Sequence, residues 1–97
     1  MEQNWLRCSA SPGQFPTELA ISGVQFNGRG FSLFAPEESV IGPETDGTAY
    51  LKVDVVDRRG SLALVRLPAQ TFESGQHVTV NTTDIHKGQL TEFRTQK

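Results

Sequence analysis

The chain is short of the residues and segments on which several classes of protein depend. It has one cysteine, Cys8, so no disulfide can form within its 97 residues. No apolar run approaches the roughly 20 residues of a membrane-spanning helix. The first seven residues lack the basic start and long apolar centre of a signal peptide. Together with the lone thiol, these absences predict a cytoplasmic protein that does not bind membranes.

The chain also lacks an excess of positive charge. Its 9 Lys and Arg residues are outnumbered by 11 Asp and Glu residues, which gives a formal net charge of −2 at pH 7. Proteins that bind duplex DNA gain much of their affinity by neutralising phosphates, so this balance disfavours that class. A length of 97 residues predicts one domain, residues 1–97, rather than two.

Turn-forming motifs are frequent in the chain, and they recur at short intervals between apolar runs. They are Ser11-Pro12-Gly13, Asn27-Gly28, Gly42-Pro43, Asp46-Gly47, Arg59-Gly60, Ser74-Gly75 and Lys87-Gly88. No window of helical periodicity exceeds about two turns. This spacing predicts an all-β fold, a small curled antiparallel barrel of five to seven strands, with a two-sheet β-sandwich as the alternative.

The apolar runs between these turns define the expected strands. They are residues 4–10, 17–26, 29–35, 48–56, 61–67, 77–81 and 90–95. Single helical turns are expected within residues 35–40 and 81–87. Asn27-Gly28 predicts a type I′ hairpin turn. In the preceding strand, the apolar residues change from odd to even positions at Gly23. This change in the alternation predicts a bulge at Gly23 and a sheet that curls.

The clearest single element is a β-hairpin over residues 50–68, with its turn at Asp57–Gly60. Placing Asp57 opposite Ser61 gives one wholly apolar face, which is expected in the core, and one face that is expected to be mostly solvated. The apolar pairs are Leu51 with Leu67, Val53 with Val65, and Val55 with Ala63. The expected core is Leu6, Leu19, Ile21, Val24, Phe31, Leu33, Leu51, Val53, Val55, Val65, Leu67, Phe72, Val78 and Val80. Trp5 is expected to be a partly exposed anchor, because large rings are rarely fully buried.

Residues that carry catalysis or bind metals in other proteins are few and scattered here. His77, Asp84 and His86 are of the types that bind zinc or iron, but their spacing matches no ligand motif. Cys8 alternates with apolar neighbours along one strand face, which predicts a buried side chain rather than a nucleophile. The sequence therefore predicts a protein that is not an enzyme and that holds no metal or cofactor.

One stretch interleaves basic and aromatic residues, as strands that stack nucleic-acid bases do. It reads Phe26-Asn27-Gly28-Arg29-Gly30-Phe31-Ser32-Leu33-Phe34-Ala35-Pro36. Together with Ser74-Gly75-Gln76-His77-Val78, it locally resembles segments of cold-shock domains, which are small barrels that bind single strands. If the chain binds a single-stranded nucleic acid, the residues expected to contact it are Arg29, Phe31 and Phe34 of this stretch, together with Arg58 and Arg59 at the tip of the later hairpin.

Two functions from different classes fit these observations. The favoured one is a non-enzymatic protein-interaction or adaptor module, whose partner is an unidentified protein or a second copy of the chain. It is favoured because the chain lacks the clusters that chemistry requires, and because short strands leave edges that must be covered. The alternative is a single-stranded nucleic-acid-binding barrel of the cold-shock type. Phe31 and Phe34 are expected on opposite faces of the sheet, which leaves one ring for stacking.

Overall fold

The computed structural model describes residues 3–73 and 75–88. They form the expected all-β fold, with eight antiparallel strands in one curled, barrel-like sheet. The strands are β1 (Gln3–Pro12), β2 (Glu18–Val24), β3 (Gly30–Pro36), β4 (Val40–Ile41), β5 (Thr48–Arg59), β6 (Leu62–Thr71), β7 (Gly75–Asn81) and β8 (Ile85–Gly88). Two single-turn 3-10 helices, Glu37–Ser39 and Thr82–Asp84, confirm the expected helical turns. The sequence does not predict β4 and β8, and the strand expected at residues 90–95 lies outside the described residues.

Strand β1 lies inside the sheet and pairs with three other strands. The order is β3-β2-β1-β5-β6-β7, with β4 beside β5 and β8 beside β1. On β1, residues 9–12 pair with β2 and residues 3–6 pair with β8. On β5, pairing with β1 runs through Val53, and pairing with β6 begins at Asp54. One long strand therefore passes from one half of the sheet to the other, which lets the sheet curl.

The two edge strands are joined through turns rather than through a continuous strand pair. The β2–β3 turn reaches β7, where the Phe26 N–H donates to the Thr79 carbonyl at 3.0 Å. The β6–β7 turn reaches β3, where the Phe72 N–H donates to the Ser32 carbonyl at 2.9 Å. These bonds hold the β2–β3 hairpin against the β6–β7 hairpin.

The core lies inside this curl and is built from side chains that alternate along the strands. Its largest fully buried members are Phe31, Leu6, Ile21, Leu33, Leu51, Leu67, Val65, Val78 and Val80. These residues confirm most of the expected core. Cys8 is also buried, as its alternation with apolar neighbours predicts. Each large apolar side chain contributes about 1.5–3 kcal/mol when it is fully buried, which offsets the entropy lost in ordering the strands.

The turn between β2 and β3 has three residues, Phe26 to Gly28, where the sequence predicts a two-residue type I′ turn. The Gln25 N–H donates to the Arg29 carbonyl at 2.8 Å, which closes the loop. Gly28 takes a φ of 84°, the left-handed conformation that ends such a loop. The Asn27 side-chain oxygen accepts a hydrogen bond from the Arg29 N–H at 3.1 Å. The turn is therefore where it is expected, but it is one residue longer.

The longer loop moves the β2–β3 pairing by one residue and removes the bulge expected at Gly23. Pairing is continuous from Glu18 to Val24, and Gly23 faces Phe31. A Cβ on Gly23 would lie 2.5 Å from the Phe31 ring, so glycine is required for the ring to cover this point of the strand. Gly23 takes the inward position, and Val24 points outward with 60% exposure, contrary to its expected place in the core.

A hairpin spans residues 50–68, as the sequence predicts, but its turn is displaced along the chain. The turn residues are Gly60 and Ser61, where the sequence predicts Asp57–Gly60. Gly60 has a φ of 59°, which a residue without a Cβ adopts at no steric cost. The Ser61 carbonyl accepts a hydrogen bond from the Thr82 N–H at 2.8 Å, which ties the turn to the 3-10 helix after β7.

The register of this hairpin also differs from the expected one. Val55 faces Val65 rather than Ala63, a shift of two residues. A shift of two keeps each side chain on its expected face, so the apolar face of β5 before the bulge still points inward. A β-bulge between Val55 and Asp57 leaves Val56 outside the pairing, with 55% exposure.

Trp5 is buried rather than partly exposed, which corrects the anchor expected from the sequence. Only 3% of its surface is accessible, although it alternates with the core residue Leu6 and so faces away from it. Its cross-strand partners are Lys52 on β5 and His86 on β8. The indole N–H donates to the Gly88 carbonyl at 3.0 Å, which satisfies the polar edge of the ring.

Candidate functional site

Exposed large apolar side chains are concentrated at one hairpin. Among the described residues, the large apolar side chains that are exposed are Phe15, Val24, Phe26, Val56 and Phe72. Val24 and Phe26 belong to the β2–β3 hairpin and the Phe72 ring packs against it. Phe15 lies in the β1–β2 loop just before the hairpin, and Val56 lies apart on β5. We call Phe15, Val24, Phe26, Phe34 and Phe72 the hairpin surface. Single exposed apolar residues are ordinary, whereas a group of them marks an interaction site.

The centre of the hairpin surface is a pair of phenylalanine rings. Phe34 faces outward on β3, because it alternates with the buried Leu33 and Ala35. The Phe72 ring, in the β6–β7 turn, packs edge-to-face against Phe34, with ring centroids 5.3 Å apart and an interplanar angle of 85°. Phe72 is 66% exposed, contrary to its expected place in the core. The pair leaves a projecting ring that a partner can cover.

A single carboxylate holds the β6–β7 turn against β3. Glu73 accepts hydrogen bonds from the Ser32 N–H at 2.8 Å and from the Ser32 hydroxyl at 2.7 Å. These donors lower the pKa of Glu73, and the hydroxyl has the larger effect. The neighbouring Phe72 N–H donates to the carbonyl of the same serine at 2.9 Å. Three hydrogen bonds to one residue thus fix Phe72 beside Phe34.

Opposite charges lie at the two ends of the β2–β3 hairpin. Arg29 lies at the turn, and it forms no ion pair with a described residue. Glu18 begins β2 at the far end, and Glu37 and Glu38 directly follow β3 there. The seven residues of β3 separate the two ends. At about 3.3 Å per residue this separation is roughly 20 Å.

A shallow groove lies next to the hairpin surface. It forms over β1, between the segment of β1 that pairs with β8 and the segment that pairs with β2. β8 pairs with β1 up to Leu6 and β2 pairs with it from Ser9, so Arg7 and Cys8 lie between them. The groove is lined by Arg7, Cys8, Ser9, Ser22, Gly23, Val24, Thr48 and Asp84. Arg7 lies 3.2 Å from the Asp84 carboxylate, so these two charges neutralise each other. Burial raises the pKa of the Cys8 thiol to about 12, which leaves it a poor nucleophile.

The residues expected to contact nucleic acid do not gather at one place. Phe31 lies in the core with 2% exposure, whereas Phe34 faces outward. Arg58 and Arg59 end β5 beside the start of β6, and the turn that packs against Phe34 follows the end of β6. The ten residues of β6 span roughly 30 Å at about 3.3 Å per residue. Arg29 and Phe34 share the β2–β3 hairpin.

The candidate metal ligands make separate contacts. Asp84 pairs with Arg7, and His77 lies on β7. The His86 ring packs edge-to-face against Tyr50, with ring centroids 5.2 Å apart. Within residues 3–73 and 75–88, no three His, Cys, Asp or Glu side chains form a group that could hold a metal. No helix in that part of the chain is long and apolar enough to cross a membrane.

Comparison with known proteins yields no relative for this chain. No protein-family model matches it, and neither a curated protein nor a solved structure does. The hairpin surface is therefore defined by geometry alone. Sequence reasoning identifies Phe34 but not its partner ring, because the contact forms only when the β6–β7 turn meets β3. One signal for Phe72 is present: it lies just before a turn signal, where side chains are usually exposed.

Proposed function

We propose that this chain is a non-enzymatic protein-interaction module whose docking surface is the hairpin surface. The observation that carries the proposal is that three exposed large apolar side chains lie on or against one hairpin, with a fourth in the loop that precedes it. Soluble proteins seldom expose such a group unless a partner covers it. The cytoplasmic location stays a prediction from the sequence.

The composition of the hairpin surface suits a protein partner. Aromatic residues supply much of the binding energy of protein interfaces, and four of the five members of the surface are phenylalanines. Fully burying one phenylalanine contributes about 1.5–3 kcal/mol. Phe72 is already held in place by its contacts with Ser32 and Phe34, so little conformational entropy is lost when a partner buries it.

Single-stranded nucleic-acid binding has less support from the same surface. The ring pair adjoins Glu73, whose lowered pKa keeps the carboxylate charged at neutral pH. A phosphate backbone that reached Phe34 and Phe72 would meet this negative charge and that of Glu37. Arg29 is the one cation that the sequence places on the hairpin, whereas single-strand binders combine their rings with a basic groove.

Affinity capture with matched baits tests the proposal. One bait carries Val24→Ser and Phe72→Ser, and the control bait carries Val56→Ser, because all three side chains are more than half exposed. Lysate from cells that naturally express the protein is treated with nuclease before capture. We expect the wild type and the control to retain the same stoichiometric protein, and the double variant to lose it.

Two outcomes would contradict the proposal. A protein that all three baits retain equally would show that the hairpin surface is not the docking site. Capture of nucleic acid alone, abolished by nuclease and lost with Phe34→Ala, would favour the single-strand alternative. In that case binding should also weaken steeply with salt, because phosphate contacts release counterions.

A further inference from the structure

We propose that the hairpin surface binds an extended segment of another protein, in which one apolar side chain lies between two basic side chains four residues apart. The inference rests on the proposed function and names the chemistry of the partner of the same surface. It follows from where carboxylates lie relative to the Phe34–Phe72 ring pair, and from the small side chains beside that pair.

Two carboxylates lie on either side of the ring pair along the hairpin. Toward the far end, Pro36 lies two residues after Phe34, and its cross-strand partner on the same face is Glu18. Toward the turn, Ser32 lies two residues before Phe34, and its hydroxyl donates to the Glu73 carboxylate at 2.7 Å. The two carboxylates are therefore held at levels four residues apart along β3, which is about 13 Å at about 3.3 Å per residue.

This spacing is that of alternate side chains on an extended chain. In a strand, residues i, i+2 and i+4 point to one side, and i and i+4 are also about 13 Å apart. Basic side chains at i and i+4 can each meet one carboxylate while an apolar side chain at i+2 covers the ring pair. In a helix, residues four apart are separated by only about 6 Å along the axis. The geometry therefore favours an extended segment.

The remaining charges near the hairpin surface also favour a basic partner. Glu37 and Glu38 follow β3 at the far end. Arg29 is the only Lys or Arg between residues 8 and 51, and it lies at the turn, outside the interval between the two carboxylates. On the neighbouring strand β1, Arg7 lies 3.2 Å from the Asp84 carboxylate, which neutralises it. Complementary charge of this kind speeds association and selects the partner.

Small side chains beside the rings give the main chain of a partner room to approach. Phe34 lies opposite Ala20 on β2, which in turn lies opposite Ser11 on β1. One level nearer the turn, Ser22 lies opposite Ser9. The outer edge of β3 is already bonded to the β6–β7 turn at this level, so the segment lies across the face rather than adding a strand at the edge.

The chain itself does not supply such a segment. No two of its 9 Lys and Arg residues are four residues apart. Two copies brought face to face would also oppose four carboxylates, those of Glu18, Glu37, Glu38 and Glu73, to the same four, with one cation on each side. The segment is therefore assigned to a different protein.

Selection from a display library of random peptides, with the purified chain as bait, tests the inference. We expect the enriched peptides to share two basic residues four apart, with an apolar residue midway between them. Peptides that also bind the Phe72→Ser bait are removed first, because that variant lacks the projecting ring. Binding of the enriched peptides should weaken as salt is added, because salt screens exposed charges.

Fluorescence polarisation of the most enriched peptide then tests the charge pairing. Glu18→Lys should raise its dissociation constant about three- to tenfold, because an attraction is replaced by a repulsion. Asp57→Lys is the control, since it makes the same change of charge on β5, and it should leave the dissociation constant unchanged. Replacing one basic residue of the peptide with Glu should restore binding to Glu18→Lys at one of the two positions and not at the other. An unfolded variant would not be rescued in this way.

An enriched set without paired basic residues, or with basic residues at another spacing, would overturn the inference. Equal effects of Glu18→Lys and Asp57→Lys would also overturn it, as would a library that yields no enriched peptide. In each case the lysate capture decides the proposed function separately. A captured protein that is lost with Val24→Ser and Phe72→Ser would mean that this inference fails while the proposed function holds. Capture that ignores both substitutions would mean that both fail.

Discussion

The Glu73 carboxylate accepts both the main-chain N–H and the hydroxyl of Ser32, at 2.8 Å and 2.7 Å. This contact joins the β6–β7 turn to β3 at the point where Phe72 meets Phe34. Phe72 belongs to the hairpin surface and directly precedes Glu73 in the chain. The contact that holds the β6–β7 turn against β3 therefore also positions the Phe72 ring. The surface is therefore a product of sheet closure and not of one hairpin alone.

Glu73→Gln should lower stability near neutral pH and have no such effect in strong acid. The Ser32 donors lower the pKa of Glu73 in the folded protein below its ordinary value of 4.5, so the carboxylate stabilises the fold above that pH. This contribution is lost as the pH falls through the lowered pKa. In thermal unfolding, the melting temperature of Glu73→Gln should lie below that of the wild type near neutral pH and should equal it in strong acid, which leaves no gap between them. Glu38→Gln is the control variant. A gap that persists in acid would contradict this account of Glu73.

Gly23→Ala should destabilise the domain, whereas Gly30→Ala should not. A Cβ on Gly23 would lie 2.5 Å from the Phe31 ring, but the nearest atom to a Cβ on Gly30 would lie 3.7 Å away. Overpacking against a buried ring costs about 1–3 kcal/mol. Urea midpoints measure the difference, and adding Phe31→Leu to Gly23→Ala should recover part of the loss. Equal midpoints for the two glycine variants would show that the ring does not cover Gly23.

Val53→Asp should unfold the domain, whereas Val56→Asp should leave it folded. Val53 is 4% exposed in the core, and Val56 is 55% exposed at the bulge. An unpaired buried carboxylate costs several kcal/mol, a large share of the roughly 5–15 kcal/mol that stabilises a domain. Far-UV circular dichroism and melting curves distinguish the two variants. A Val53→Asp protein with the wild-type melting temperature would rule out the inward face of β5.

Cys8 should react with an aromatic disulfide reagent only as fast as the domain unfolds. The thiol is buried, and burial raises its pKa from 9.0 to about 12. The unfolded chain therefore loses its thiol proton at a lower pH than the folded one, and stability should fall as the pH rises above 9.0. Cys8→Ala should remove this part of the alkaline loss. Rapid modification of the wild type under native conditions would contradict the burial.

The fold class, the main strands and both helical turns follow from the sequence because turn chemistry and strand alternation are local properties. The registers do not follow, because a shift of two residues leaves the alternation unchanged. The alternation of apolar and polar residues is therefore equally consistent with Val55 facing Val65 and with Val55 facing Ala63. The outward position of Val24 depends on one additional loop residue before Gly28, which the Asn-Gly signal does not specify.

The candidate site is less predictable because it depends on contacts between distant parts of the chain. Alternation places Phe31 and Phe34 on opposite faces, and the expected core correctly includes Phe31. The contact of Phe34 with Phe72 needs the β6–β7 turn to reach β3. The burial of Trp5 similarly involves a hydrogen bond to Gly88, at the other end of the described chain.

The docking role proposed for the hairpin surface can be tested by backbone amide NMR. Spectra of the labelled chain are recorded alone and with the protein that it captures. We expect shifts at Val24, Phe26 and Phe72, with unchanged positions for Arg58 and Arg59 at the β5–β6 turn. Shifts that cluster at those two arginines, or spectra that are identical with and without the captured protein, would contradict the proposal.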